Sequence, residues 1–338
     1  MPQRRGDVIL FDRPPAVDAW AAVGGKKEGE GPLAAGFDLL FEDNRLGQLT
    51  WEKAESELQR QCMNQLLRRA GLAPDALSLV FGGDLQCQCT ASHYAMRQLD
   101  VPFAGLYGAC STMAEGLALA ACFAACGLAD RAAALTSSHF CTAERQYRTP
   151  LTYGGKRTPT AQWTATAAGA VLLTPTGRGP QVGAVCFGRV RDFDVTDINN
   201  MGAAMAPAAA ETLLRFFARS GRRPEDYDAI YTGDLGFVGS RLLLEILQAE
   251  GLPLQNHQDC GLLLYDRARQ QVKAGGSGAG CSAAVLAAHI LPGLAKGQLR
   301  RVLLLSTGAL MSQTTFLQGE SIPGIAHLVE LLAPDVPV

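Results

Sequence analysis

Three landmarks occur in one half of this 338-residue chain and return in the same order, at similar spacing, in the other. Asp228-Ala-Ile-Tyr-Thr-Gly-Asp-Leu235 restates the strand that ends in Gly83-Asp84-Leu85. Gly275-Gly-Ser-Gly-Ala-Gly-Cys-Ser-Ala283, which leads into an apolar helix, restates the turn at Gly108 and its helix. Arg301-Val-Leu-Leu-Leu-Ser-Thr-Gly308 restates Arg131-Ala-Ala-Ala-Leu-Thr-Ser-Ser138. A duplicated chain of this kind has few folds open to it: two similar βα halves, each contributing a sheet covered by helices on both faces. The punctuation Thr174-Pro-Thr-Gly-Arg-Gly-Pro180 places the boundary near residues 174–182, giving halves of 1–175 and 176–338.

The first half carries the feature closest to chemistry. Gly105-Leu-Tyr-Gly-Ala-Cys110 reads as the end of a short strand and a tight turn at Gly108-Ala109. A helix follows, with Met113, Leu117, Ala120 and Ala121 on its apolar face and Glu115 in its first turn. A thiol at a helix start feels the positive end of the dipole and unpaired N–H groups, so a lowered pKa is expected for Cys110. Strand, turn, Cys and helix in that order are how a fold presents a nucleophile. A small apolar Cys packed under a helix is the competing reading.

Composition narrows the class. With 48% apolar and 18% charged residues and a net charge of -2, the chain builds a large core and has no basic block, so nucleic acid is not an expected partner. Ten Cys without a pairing pattern point to reduced thiols inside a cell. Cys87-Gln-Cys89 and Cys122…Cys126 lack zinc spacing, and neither a metal nor a cofactor is expected. The charge-free run from Ala274 to Ala295 is read as a glycine turn and a core helix, not as a membrane span.

Along the chain, Val8 to Phe11 is read as a short strand inside an irregular arm of residues 1–35. Thr50 caps a long amphipathic helix ending before Gly71. Strands are expected over Leu77–Asp84, Phe103–Tyr107, Ala132–Ser138 and Ala168–Leu173, with a helix over His93–Leu99. Asn199 and Asn200 precede a Gly/Ala-rich helix over Met201–Ala210.

These halves, with a nucleophile-type Cys after a strand, resemble the thiolase and ketoacyl synthase superfamily, whose fold is a five-layer αβαβα arrangement. Several runs are similar to one branch of it, the stage V sporulation protein AD family: Gly105 to Thr112, Thr136-Ser-Ser-His139, Pro159-Thr-Ala-Gln-Trp163, Asn199-Asn-Met-Gly-Ala-Ala-Met-Ala-Pro207, Thr232-Gly-Asp-Leu-Gly236, Asp259-Cys-Gly261 and Ser321-Ile-Pro-Gly-Ile-Ala-His327. The resemblance implies a role in spore formation: binding pyridine-2,6-dicarboxylic (dipicolinic) acid, alone or as its calcium chelate, for uptake into the developing spore. It further implies small membrane proteins as partners, a homodimer, and a cytoplasmic chain peripheral to the inner forespore membrane.

Condensing enzymes of the superfamily activate their Cys with His/His or His/Asn partners. Here those positions fall at Thr232-Gly233-Asp234 and at Gly276-Ser277, and none of the five His matches. A pocket without Claisen catalysis is therefore expected, with an acyl-transferring enzyme using Cys110 as the alternative. A planar aromatic dianion needs N–H and hydroxyl donors, a cation and a flat apolar slot. The candidates are Cys110, Ser111, His139, Arg145, Arg148, Asn199, Asn200, Met201, Ser277 and Gly308, the last as a backbone N–H donor. Thr112 adds a hydroxyl. Lys156 and Arg157 lie in a loop-rich stretch that a solvated basic surface explains better, and Asp234 is taken as structural.

Overall fold

The computed structural model describes residues 2–147 and 157–336. Ten strands build its core: β1 (Ala16–Gly24), β2 (Leu79–Gly83), β3 (Phe103–Gly105), β4 (Ala132–Ser138), β5 (Ala167–Thr174), β6 (Gln181–Cys186), β7 (Ala229–Thr232), β8 (His257–Asp259), β9 (Arg301–Ala309) and β10 (Gly324–Leu332). Their hydrogen-bonded order is β8-β7-β9-β10-β6-β1-β5-β4-β2-β3. The order is a near-mirror image about its centre. In each half a short central strand pairs in parallel with two neighbours (β2 with β3 and β4, β7 with β8 and β9), and the remaining pairings are antiparallel. In the strand order the halves meet where Gln181 lies opposite Ala16, and Val8–Leu10 pair beside it with Ala184–Cys186.

Seven helices matter for the site: α1 (Trp51–Ala70), α2 (Thr90–Leu99), α3 (Thr112–Ala125), α4 (Phe140–Tyr147), α5 (Met201–Ser220), α6 (Gly236–Ala249) and α7 (Ala279–Val285). Three apolar cores separate five layers. Leu58, Met63 and Leu66 of α1 pack on one side of the first sheet; Leu213 and Phe216 of α5, with Leu243 of α6, pack on the outer side of the second. Between the sheets lies the largest core, with Met113 and Leu117 of α3, Ala283 and Val285 of α7, and strand residues of both halves. This is the thiolase-like α/β arrangement.

Local chemistry explains most elements. Thr50 Oγ1 accepts from Lys53 N at 3.3 Å and Gly71 closes α1 in the left-handed conformation, as its caps predict. α3 and α7 are alanine- and glycine-rich because a helix covered on all sides between two sheets has room only for small side chains. The run from Ala274 to Ala295 is a glycine turn, α7, a single π turn over Leu286–Ile290, and a closing helix over Leu291–Ala295. Among the described residues no helix is long and apolar enough to cross a membrane.

One expectation is corrected. The stretch read as an irregular arm holds β1, a nine-residue strand at the centre of the sheet order, besides a hairpin of Gln3–Arg5 with Val8–Leu10. Its Ala-rich run Ala16-Val-Asp-Ala-Trp-Ala-Ala-Val23 carries little intrinsic β signal, and tertiary packing makes it a strand: Ala22 and Trp20 sit against Ala287 and Ala288 of the π turn.

Buried ionisable groups set the pH response of this core. Burial, with Asp84 nearby, pushes the Glu55 carboxyl up to about 8 against hydrogen bonds from Thr142, Gln86 and Ser137. Burial likewise raises Asp259 to about 7, and lowers His257 and His327 to about 4. A raised acid contributes stability that is complete below its unfolded pKa and is lost as pH rises through the folded one. A depressed His contributes the reverse, half complete at about 6.5 and complete about one unit higher. Between pH 6.5 and 8 the loss from the acids outweighs the remaining gain from the His, so the unfolding free energy is expected to fall by about 1–2 kcal/mol. Urea denaturation across that interval checks it, and Glu55→Gln should flatten most of the slope. A level or rising curve in the wild-type chain contradicts the assignment.

Candidate functional site

The strand-to-helix turn after β3 is held by its own hydroxyls. Ser111 Oγ donates to Gly108 O at 2.6 Å, Thr112 Oγ1 donates to Ala109 O at 2.8 Å and accepts from Gly108 N at 3.2 Å. Ala109 takes φ 53°, a left-handed conformation that costs a non-glycine residue energy, so the turn stores strain immediately before Cys110. Gly308 of β9 lets this turn approach: a Cβ there would lie 2.6 Å from Gly108 O and 3.2 Å from Ser111 N.

Cys110 faces the second half of the chain. Its thiol lies beside the carboxyl of Asp234, which follows β7. That carboxyl accepts from Thr307 Oγ1 at 2.9 Å, Ser277 Oγ at 2.8 Å and Gly278 N at 2.9 Å. Burial pushes the Cys110 thiol well above its ordinary value, and the neighbouring Asp234 pushes it further; Gly278 N and Ser277 offset only part. The expected lowering by the helix start is thus reversed. Desolvation plus an adjacent acid outweighs a half-charge dipole.

Above Cys110 opens a cavity of about 610 Å³. Its floor is Ala109, Cys110 and Ser277. One wall comes from α4 (Ala143, Glu144, Tyr147) and the segment Arg157 to Thr164. The facing wall comes from Ile198, Asn199, Met201 and Met205 at the start of α5 and from the chain after β9, Ala309 to Ser312 with Thr315. A parallel pairing of Gly276 and Ser277 with Trp163 and Thr164 ties the second half's glycine turn to the first half at this point. Gln162 fastens the same junction, donating to Asp234 O at 2.6 Å and Gly276 O at 2.8 Å. Tyr147 donates its hydroxyl to Leu85 O, which closes the mouth beside Tyr107.

Of the candidates read from the sequence, Cys110, Asn199, Met201 and Ser277 line this cavity. The others stand elsewhere. Ser111 is fully buried in the turn. His139 has both ring nitrogens engaged by backbone, Nε2 with Asn44 O at 2.8 Å and Nδ1 accepting from Cys141 N at 3.1 Å, so it has nothing left for a carboxylate. Arg145 points outward and pairs with Glu52 at 3.1 Å. Asn200 stands at the cap position of α5 without a side-chain capping bond, its Oδ1 buried and unpaired. Gly308 positions the turn as described. Arg148 and Lys156 lie outside the described residues. Asp234, taken as structural, is the thiol's partner. Arg157, Glu144, Gln162 and the two tyrosines were not selected as site residues; their signal was the Gln-Trp and Glu-Arg runs in a long loop-rich stretch.

Duplicated sheets, a buried central helix pair and a cysteine at the strand-to-helix turn of the first half define a thiolase-like protein. Solved structures agree on the fold: 3-oxoacyl-[acyl-carrier-protein] synthase III from Aquifex aeolicus VF5 (TM-score 0.56, 13% identity, 94% of this chain and 99% of that one) and OleA from Xanthomonas campestris (TM-score 0.60, 13% identity, 96% and 99%). The family model for stage V sporulation protein AD matches residues 6–332, and the stage V sporulation protein AD of Bacillus subtilis (strain 168) is 43% identical over 319 residues, 94% of each chain. The chain belongs to the stage V sporulation protein AD family.

Proposed function

We propose that this sporulation-family protein uses the cavity over Cys110 to bind pyridine-2,6-dicarboxylate, without catalysis, during uptake of the acid into the developing spore. The observation that carries the non-enzymatic reading is the buried acid Asp234 beside the Cys110 thiol. A thiol that is desolvated next to an acid, and whose pKa is thereby raised, stays protonated at neutral pH, and the thiolate is the nucleophile. None of the five His lines the cavity among the described residues. The ligand class rests on the family resemblance and on the lining. The cavity offers apolar faces in Leu85, Ile198, Met201 and Leu310 for a ring, and a hydroxyl and an amide donor in Thr164 and Asn199 for carboxylates. Uptake of the calcium chelate, docking on small membrane proteins at the inner forespore membrane, and homodimerisation belong to the same reading.

Calorimetric titration of pyridine-2,6-dicarboxylate into the purified chain, with and without Ca²⁺, tests it. Saturable heat that weakens at least tenfold with pyridine-2-carboxylate, which lacks one carboxylate, is expected. Absence of heat in both conditions removes the binding reading.

A further inference from the structure

The wall of the cavity contains a cation that is already answered by an acid. Among the described lining residues Arg157 is the only cation and Glu144 the only carboxylate, and they pair with each other at 2.5 Å. Arg157 is held in place from two other directions. One edge of its guanidinium donates to Gln162 O at 3.1 Å. Its Cζ lies 5.0 Å from the ring centre of Phe140 and 5.1 Å from that of Trp163, beside the two rings, which stack 4.0 Å apart at 17°. The ring pair and the Gln162 carbonyl hold the group without Glu144, and a guanidinium so held loses little conformational freedom on meeting a ligand. Glu144 occupies the edge that remains.

We propose that Arg157 is the residue that recognises a ligand carboxylate in this cavity, and that Glu144 is the internal carboxylate which the ligand displaces. This rests on the cavity being the ligand site. Exchange of one carboxylate for another on a guanidinium is nearly balanced, because both pairs give up the same hydration and form the same planar, bidentate-capable contact. The ligand's second carboxylate and its ring then decide affinity, and Glu144 sets a threshold: a weakly held monoacid does not dislodge it. The pair thereby acts as a selectivity filter for diacids. Arg145 has no part in this, since its side chain is 61% exposed and turned to Glu52.

Titration calorimetry with pyridine-2,6-dicarboxylate on the wild type, Glu144→Gln, Arg157→Gln and Arg157→Lys, each checked for thermal unfolding, tests the assignment. Removing the competitor in Glu144→Gln should tighten binding about threefold to tenfold and raise the relative affinity for pyridine-2-carboxylate. Arg157→Gln should weaken binding at least tenfold, with Arg157→Lys between it and the wild type. Wild-type binding that Arg157→Gln leaves unchanged overturns the proposal while leaving the ligand in the cavity. Weaker binding in Glu144→Gln overturns it too, because Glu144 would then position Arg157 rather than compete for it. If Arg157→Gln does not fold, the Glu144→Gln result decides alone. Absence of heat in the wild type overturns the cavity reading and this proposal together.

Discussion

Cys110→Trp is expected to abolish saturable binding of pyridine-2,6-dicarboxylate, a loss of at least a hundredfold, about 2.7 kcal/mol. The side chain at 110 forms the cavity floor between Ala109 and Ser277, so an indole there must project into the space where a planar ligand would lie. Calorimetry on the variant reads the loss, and thermal unfolding shows whether the fold persists. Retained affinity in a folded Cys110→Trp chain would place the ligand elsewhere on the protein.

The second large effect concerns reactivity. In the wild type, Cys110 is expected to alkylate with iodoacetamide at pH 7 more slowly than the exposed Cys87 and Cys126, because burial and Asp234 both hold its proton. Asp234→Asn removes the acid, whose own pKa burial raises, and keeps the shape, so no carboxylate charge can oppose the thiolate and the thiol ionises more easily. A fall of one pKa unit is tenfold in thiolate, and an acceleration of about tenfold at Cys110, with Cys87 and Cys126 unchanged, is the expected result. Peptide mass mapping over time measures all three. A wild-type Cys110 that alkylates first, or that gains mass from an acyl-CoA, would restore the acyl-transfer alternative. That outcome would also make the fold shared with OleA and 3-oxoacyl synthase III a guide to chemistry, which at 13% identity it is not.

Much of the architecture was legible because periodic apolar strands and capped helices are local signals. The recurrence of Gly83-Asp84-Leu85 as Gly233-Asp234-Leu235 correctly announced two similar halves, and the Thr50 cap, β4 and the start of α5 stand where the residues put them. β1 was missed because alanine is a poor marker of strands, although small residues are what its packing against Ala287 and Ala288 requires. At the site, the cysteine after a strand was readable. The direction of its pKa was not: the helix start is visible in sequence, whereas the acid 124 positions away that overrules it is not.

By itself, then, the amino-acid order determined a duplicated α/β chain, a cysteine at a helix start in its first half, and an acid and a serine at the two positions where catalytic partners are expected. Only the tertiary structure decided that Asp234 and Ser277 meet Cys110, that His139 and Arg145 turn away, and that Arg157 and Glu144 face each other across the cavity wall. The physical reason is range. Strand, cap and turn preferences are settled among near neighbours, while burial and charge pairing depend on which distant segments pack together.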